Sequence, residues 1–183
     1  PYSLSKWKNT LCSTCELFTS KDVSFVPVGR IVRSGGMQAV RAYYKKLGAE
    51  FEKALNDMFI FDALIFNTDR HYGNFGFLID SHTNEIIAPA PLFDHGNSLF
   101  HFAGVDALKS KKSFLKYAET QMPCVYDDYV AEAKKVLTRE WRSAIRKLLD
   151  FKLPRHSRYN LSKERLNLIE YAVSQRAAEL LEE

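Results

Sequence analysis

The residues Asn67-Thr68-Asp69-Arg70-His71-Tyr72-Gly73-Asn74 crowd polar groups between an apolar helical run and an apolar alternation. A loop that merely joins two elements rarely needs so many. Upstream, Phe51, Leu55, Met58 and Phe59 repeat at i, i+4, i+7 and i+8, which predicts a helix from Ala49 to Asn67. Phe61, Leu64, Ile65 and Phe66 fill its remaining sides, so its C-terminal half is expected to be buried all round. Asp62 interrupts that apolar half, where an unpaired charge is expensive. Downstream, Phe75, Phe77 and Ile79 predict a strand, 80–84 is rich in turn formers, and Glu85 to Ala88 returns as the second strand of a hairpin. The hairpin delivers the chain to Leu92-Phe93-Asp94-His95-Gly96, with Asp94 twenty residues beyond Asn74 (94 minus 74). An out-and-back hairpin ends near where it begins, so Asp94 is expected beside Asn74.

Further out the patterns are simpler. Tyr2, Leu4 and Trp7, then Leu11 to Phe18, read as two short strands around Lys8-Asn9. Val23, Phe25 and Val26 run into Pro27, and Ser34-Gly35-Gly36 breaks the chain before a helix from Met37 to Leu47 that ends at Gly48. Beyond Phe100 the pattern is helical to the end, with Asp127, Thr138 and Ser162 as N-caps. Strands come early, a hairpin sits in the middle and helices follow, which is an α+β fold with segregated elements rather than alternating βαβ units. There is no internal repeat.

Composition narrows the function classes. The chain has 183 residues, 46% of them hydrophobic and 13% aromatic, enough for one core of ordinary size. Lys+Arg 26 against Asp+Glu 22 gives +4, short of the excess of a dedicated nucleic-acid binder, so no direct nucleic-acid binding is expected. The longest apolar run, Met58 to Phe66, contains Asp62 and is far shorter than the roughly 20 residues of a membrane span. No membrane association is expected. Three cysteines do not make a disulfide scaffold, and a reducing, cytoplasmic setting is the expectation. Cys12 and Cys15 have metal-ligand spacing, but the remaining Cys124 supplies no second half-site, which argues against zinc. Pro at position 1 predicts an excised or processed piece of a longer chain.

Asp69, Asn74 and Asp94 together are the set that phosphoryl transfer needs. One Asp orients the attacking hydroxyl, while an Asn and a second Asp offer hard oxygens that hold Mg²⁺ on the nucleotide phosphates. Protein kinases place an Asp and an Asn at the same five-residue interval, followed by Asp-Phe-Gly; here Asp94-His95-Gly96 carries His in place of Phe.

The Asp69-Arg70-His71-x-x-Asn74 string resembles that of phosphatidylinositol kinases and of the HipA-like kinases of bacteria. Asn74-Phe75-Gly76 and Pro91-Leu92-Phe93-Asp94-His95-Gly96 look most like the HipA-like group. The resemblance implies a protein-kinase-like fold, ATP with Mg²⁺, and transfer of the γ-phosphate to a hydroxyl, with Ser or Thr of a protein substrate as acceptor. It makes Asp69 the catalytic Asp and Asn74 and Asp94 the metal ligands. It also implies an antitoxin-type partner, on which no residue bears. The chain then divides into a remnant of the N-terminal lobe, hinge and first helix over 1–47 and a mostly helical C-terminal lobe over 48–183. Neither a Gly-rich loop followed by a strand nor a strand Lys precedes Cys15, so the fragment is expected to lack the phosphate-clamping Lys and, as an isolated polypeptide, to be inactive even where its parent is a kinase. Under this reading Leu11 to Glu16 enters the hinge, and the backbone of Glu16 to Phe18 meets adenine.

His71 reads as a hydrogen-bonded histidine that shapes the loop rather than a proton carrier. Arg70 holds a carboxylate or phosphate, or else lies on the surface. Asp62 is expected to hydrogen-bond the loop at Arg70 or His71, the alternative being a capping or surface Asp. The rival enzyme is a metal-dependent phosphohydrolase built on Asp69, His71, Asp94 and His95. The rival without catalysis is a pseudokinase or protein-interaction module. Lys109, Lys111, Lys112 and Lys116, and separately Lys152, Arg155, His156 and Arg158, read as solvated basic faces or as docking sites for an acidic or phosphate-bearing partner.

Overall fold

The structure is a computed structural model that describes residues 2–182, so Pro1, from which the excised-piece reading came, lies outside it. Strands β1 (Ser3–Trp7) and β2 (Thr10–Thr14) pair antiparallel, with Trp7 opposite Thr10. The two residues between them, Lys8 and Asn9, have φ of 46° and 65°, the mirror-image turn that suits the twist of a two-residue hairpin. This hairpin forms a sheet of its own.

A second sheet has the order β3-β4-β5, from Val23–Pro27, Gly76–Asp80 and Ile86–Pro89, all antiparallel. The central hairpin is therefore widened by a strand from far upstream, with Val23 opposite Asp80 and Pro27 opposite Gly76. Gly76 permits the crossing. A Cβ there would lie 2.2 Å from the Val26 carbonyl oxygen, closer than any side chain tolerates.

A single turn, α1 (Val28–Ile31), leads to α2 (Gly36–Leu47) and α3 (Ala49–Ile65). Helix α3 stops two residues short of the expected Asn67. Phe66 turns left-handed at φ 53°, and the Asn67 amide donates to the Asp62 carbonyl at 3.0 Å, which closes the helix and frees the Asn67 side chain. The rest is less helical than the pattern predicts. Helices α4 (Lys111–Glu119), α5 (Tyr129–Val136), α6 (Arg139–Arg146) and α7 (Lys163–Leu181) are separated by irregular chain at 120–128 and 147–162. Thr138 and Ser162 cap α6 and α7, but α5 is capped by Asp128 instead of Asp127, its Oδ1 accepting from the Ala131 amide at 2.6 Å.

Helix α3 is the hub of the molecule. Leu55, Met58 and Phe59 pack with Val28, Val40, Tyr44, Phe75 and Phe77 beneath the second sheet. Ile60, Ala63 and Leu64 pack on the other side with Tyr129, Ala133, Ile145, Ala177 and Leu180. Just past its end, Phe66 joins Phe100, Phe114, Ile169 and Val173 in a third cluster. Each large side chain fully removed from water is worth about 1.5–3 kcal/mol, so the C-terminal end of α3 is fixed in place by packing. No helix among the described residues is long and apolar enough to cross a membrane.

Candidate active site

The polar loop hangs on one buried ion pair. Asp62, fully buried on α3, accepts from Arg70 Nε at 2.9 Å and Nη2 at 3.0 Å, a forked contact with both carboxylate oxygens. Asn67 Nδ2 adds a third bond to Asp62 at 2.9 Å. Arg70 is itself inaccessible, which excludes the surface-arginine reading, and its remaining terminal nitrogen donates to two carbonyls, Asn74 at 2.7 Å and Phe93 at 3.0 Å. One guanidinium thus ties α3 to the residue of the loop that carries Asn74 and to the residue immediately before Asp94. The hairpin closes as its geometry requires, and Arg70 is the clasp.

Asp69 lies between these anchors, partly accessible. Its amide donates to Asn67 Oδ1 at 3.2 Å and its carbonyl accepts from Asn74 Nδ2 at 3.0 Å, so its backbone is held on both sides. The Asn74 side chain is oriented by that bond: its nitrogen faces the loop, leaving Oδ1 as the oxygen available to a cation. Asp94 is exposed and adopts a left-handed backbone at φ 57°, a conformation Asp tolerates better than most residues. An amide oxygen and a carboxylate brought to the two ends of one hairpin are hard oxygen donors of the kind Mg²⁺ takes, with its other positions left to water and phosphate. The donor chemistry fits that ion.

His71 is exposed, and its Nδ1 accepts from the Gly73 amide at 3.0 Å within the loop. A Cβ on Gly73 would lie 2.7 Å from the His71 ring, so a larger residue there would push that exposed ring aside and break its bond to the Gly73 amide. His95 packs edge-on against Phe61 at 5.2 Å, and burial, reinforced by the Arg70 charge, pushes its imidazole below the ordinary histidine range. Among the described residues no three His, Cys, Asp or Glu side chains converge as a ligand set, and the Asp69, His71, Asp94 and His95 cluster of the phosphohydrolase reading is not assembled. The three cysteines are free.

Phe18 packs against Phe25 at 6.0 Å and Phe93 at 5.3 Å, and Phe25 meets Phe93 at 5.1 Å. These rings form an aromatic cluster next to Asp94, while Glu16 is exposed on the segment after β2. Of the basic runs, Lys109 pairs with Asp106, Lys111 lies over the Tyr171 ring, and Lys152 and Arg155 turn inward to Glu170.

Four contributors escaped the sequence reading. Asn67 braces both Asp62 and Asp69; Thr68 and Asn97 join the loop to the segment after Asp94; Arg165 on α7 holds the carbonyls of Phe100 and His101 at 2.9 and 3.0 Å. Gly96-Asn97-Ser98 reads as a plain turn, and nothing local distinguishes an Asn that serves a turn from one that reaches across it.

No family model matches the chain, and no curated protein matches it. Among solved structures, its fold is similar to the crystal structure of a Helicobacter pylori proinflammatory kinase, CtkA, with a TM-score of 0.69 over 99% of this chain and 77% of that one, at 19% sequence identity. At that identity the likeness concerns architecture, and together with the element order it shows that this chain has a kinase-like α+β fold.

Proposed function

We propose that this chain is the phosphoryl-transfer lobe of a HipA-like kinase, acting on a Ser or Thr hydroxyl of a protein substrate with ATP and Mg²⁺. The observation that carries the reading is the Arg70 clasp, which gathers Asp69, Asn74 and the start of Asp94 into one loop cluster anchored on α3. In this reading Asn74 Oδ1 and the Asp94 carboxylate hold the metal, and the aromatic group of Phe18, Phe25 and Phe93 lies on the nucleobase side. Mg²⁺ supplies neutralisation of the phosphate charge. The residues of the chain do the positioning. Asp69 accepts a hydrogen bond from the acceptor hydroxyl and aims its oxygen at the γ-phosphorus. As that O–P bond forms, the bond from phosphorus to the bridging oxygen breaks, its electron pair leaves with ADP, and the hydroxyl proton passes to Asp69. An antitoxin-type protein partner belongs to the same reading and rests on the resemblance alone, while the cytoplasmic setting rests on the cysteine content.

Calorimetric titration of Mg·ATP into this chain, beside an Asp94→Asn variant and a titration without Mg²⁺, tests the assignment. Mg²⁺-dependent binding that is lost in the variant is expected. Binding that survives both the substitution and the omission of Mg²⁺ places the metal elsewhere and defeats the site.

A further inference from the structure

We propose that Asn97 is a positioning residue for Asp69, presenting one chosen carboxylate oxygen to the acceptor hydroxyl; this rests on the kinase reading above. Asn97 Nδ2 donates to Asp69 Oδ2 at 2.9 Å. The backbone of Asp69 is already fixed by Asn67 and Asn74, but neither reaches its carboxylate. Asn97 therefore controls what the other two leave free, the rotation of the side chain. With Oδ2 engaged, Oδ1 is the oxygen offered to the proton of the hydroxyl.

The donor itself is held firmly. The Asn97 carbonyl accepts from Thr68 Oγ1 at 3.0 Å, so the same residue grips the catalytic loop by backbone and by side chain. Immediately after it, Ser98 N donates to the His95 carbonyl at 3.1 Å and Leu99 N to the Ile65 carbonyl at 2.8 Å, the latter fastening the segment to the end of α3. Arg165 then secures the carbonyls of Phe100 and His101. Support of this kind is what holds a partner group within about 0.5 Å of a productive geometry. The chemistry of the donor also suits the task. A lysine or arginine at this position would neutralise the carboxylate and weaken it as a proton acceptor, whereas a neutral amide orients the charge and leaves it in place.

Asn97 lies three residues beyond Asp94, so the residue proposed to hold the metal and the residue that aims the proton acceptor share one short, well-anchored stretch. A connection that only tied loops together would be satisfied by the Thr68 contact with the carbonyl. The side-chain bond to Asp69 is the part that bears on chemistry.

The test is steady-state Mg·ATP hydrolysis by the full chain, with water standing in for the acceptor, for the unaltered protein, Asn97→Ala and the isosteric Asn97→Asp. Both variants keep the backbone carbonyl bonded to Thr68. The expected result is a kcat lowered about 10- to 100-fold with KM for Mg·ATP unchanged, larger for Asp, which sets a second negative charge against Asp69. A kcat equal to that of the unaltered chain, or losses of kcat, KM and melting temperature together, overturns the positioning role while leaving the kinase reading standing. An unaltered chain that neither binds nor hydrolyses Mg·ATP, and still does neither when joined to upstream sequence that carries the phosphate-clamping Lys, brings down the kinase reading and this inference with it. A signature independent of turnover comes from the Asn97 side-chain NH₂ resonances in ¹⁵N-¹H spectra. They should shift in Asp69→Ala, and resonances that do not move overturn the clamp.

Discussion

Two acidic residues are almost wholly withdrawn from water, Asp62 on α3 and Glu170 on α7, and both are met by arginine. They differ in what their partners leave in solvent. Asp62 is paired with Arg70, which is also fully buried, so both charges of the pair lie in the interior. Glu170 accepts from Lys152 and Arg155, whose side chains remain 76% and 44% exposed, and from the Leu153 amide at 3.1 Å. The first pair locks the loop that carries Asp69 and Asn74. The second fastens the irregular chain at 147–162 to α7. An interior pair stands or falls as a unit, because losing either member strands the other charge. A carboxylate served by snorkelling cations loses its support in increments.

The largest effect should follow from breaking the interior pair. Arg70→Met strands Asp62 and is expected to cost about 3–5 kcal/mol in urea unfolding. Making the change together with Asp62→Leu removes both charges and should return most of that stability. Mg·ATP binding should stay lost in the double variant, since the Asn74 and Phe93 carbonyls lose their common donor. Restored binding would show that Arg70 stabilises the lobe without shaping the site.

Glu170→Gln should cost about 2 kcal/mol, the range of hydrogen bonds to a charged acceptor. Its pH dependence sharpens the contrast. Burial pushes the Glu170 carboxyl up, but the Lys152 and Arg155 bonds and the Leu153 amide outweigh it and hold it below its usual 4.5. A carboxyl lowered by folding stabilises fully above its unfolded value and loses that contribution as pH falls through the folded one. The melting-temperature gap between the unaltered chain and Glu170→Gln should therefore be constant above about pH 5 and narrow as pH drops below about 4.5. A gap unchanged at pH 3 would contradict the ionic account. Smaller still, Arg155→Ala should cost about 1 kcal/mol and Lys152→Ala under about 0.5 kcal/mol, read by chemical denaturation. Equal losses for the two would mean that exposure does not set the ranking.

Much of this architecture is legible in the sequence where a single element carries its own pattern. The all-round apolarity of 58–66, the turn at 80–84 and the caps at Thr138 and Ser162 are local signals, and the structure follows them. The rule that a lone charge in an apolar run must find a partner also makes the pairing of Asp62 readable. What escapes is set by distant chain. Val23–Pro27 becomes a strand because β4 offers it an edge, and α3 ends at Ile65 because Phe66 turns left-handed into a cluster with Phe100. In the 147–162 stretch Pro154 disfavours a helix at the residue before it, and the Leu153 amide left outside a helix is met by Glu170 Oε1 on α7. At the site, the residue types of Asp69, Asn74 and Asp94 announce themselves, whereas Asn97 looks like any turn residue until the turn is seen to face Asp69.

The bond from the Leu99 amide to the Ile65 carbonyl joins the last turn of α3 to the segment after Asp94. Protection from hydrogen exchange should follow that connection more than the order of the chain. The amides of Asn67 and Leu99 belong to segments far apart in sequence, yet each donates to a carbonyl in the last turn of α3, so they should open together with a common free energy. The exposed β1-β2 hairpin, although it precedes both, should exchange long before either.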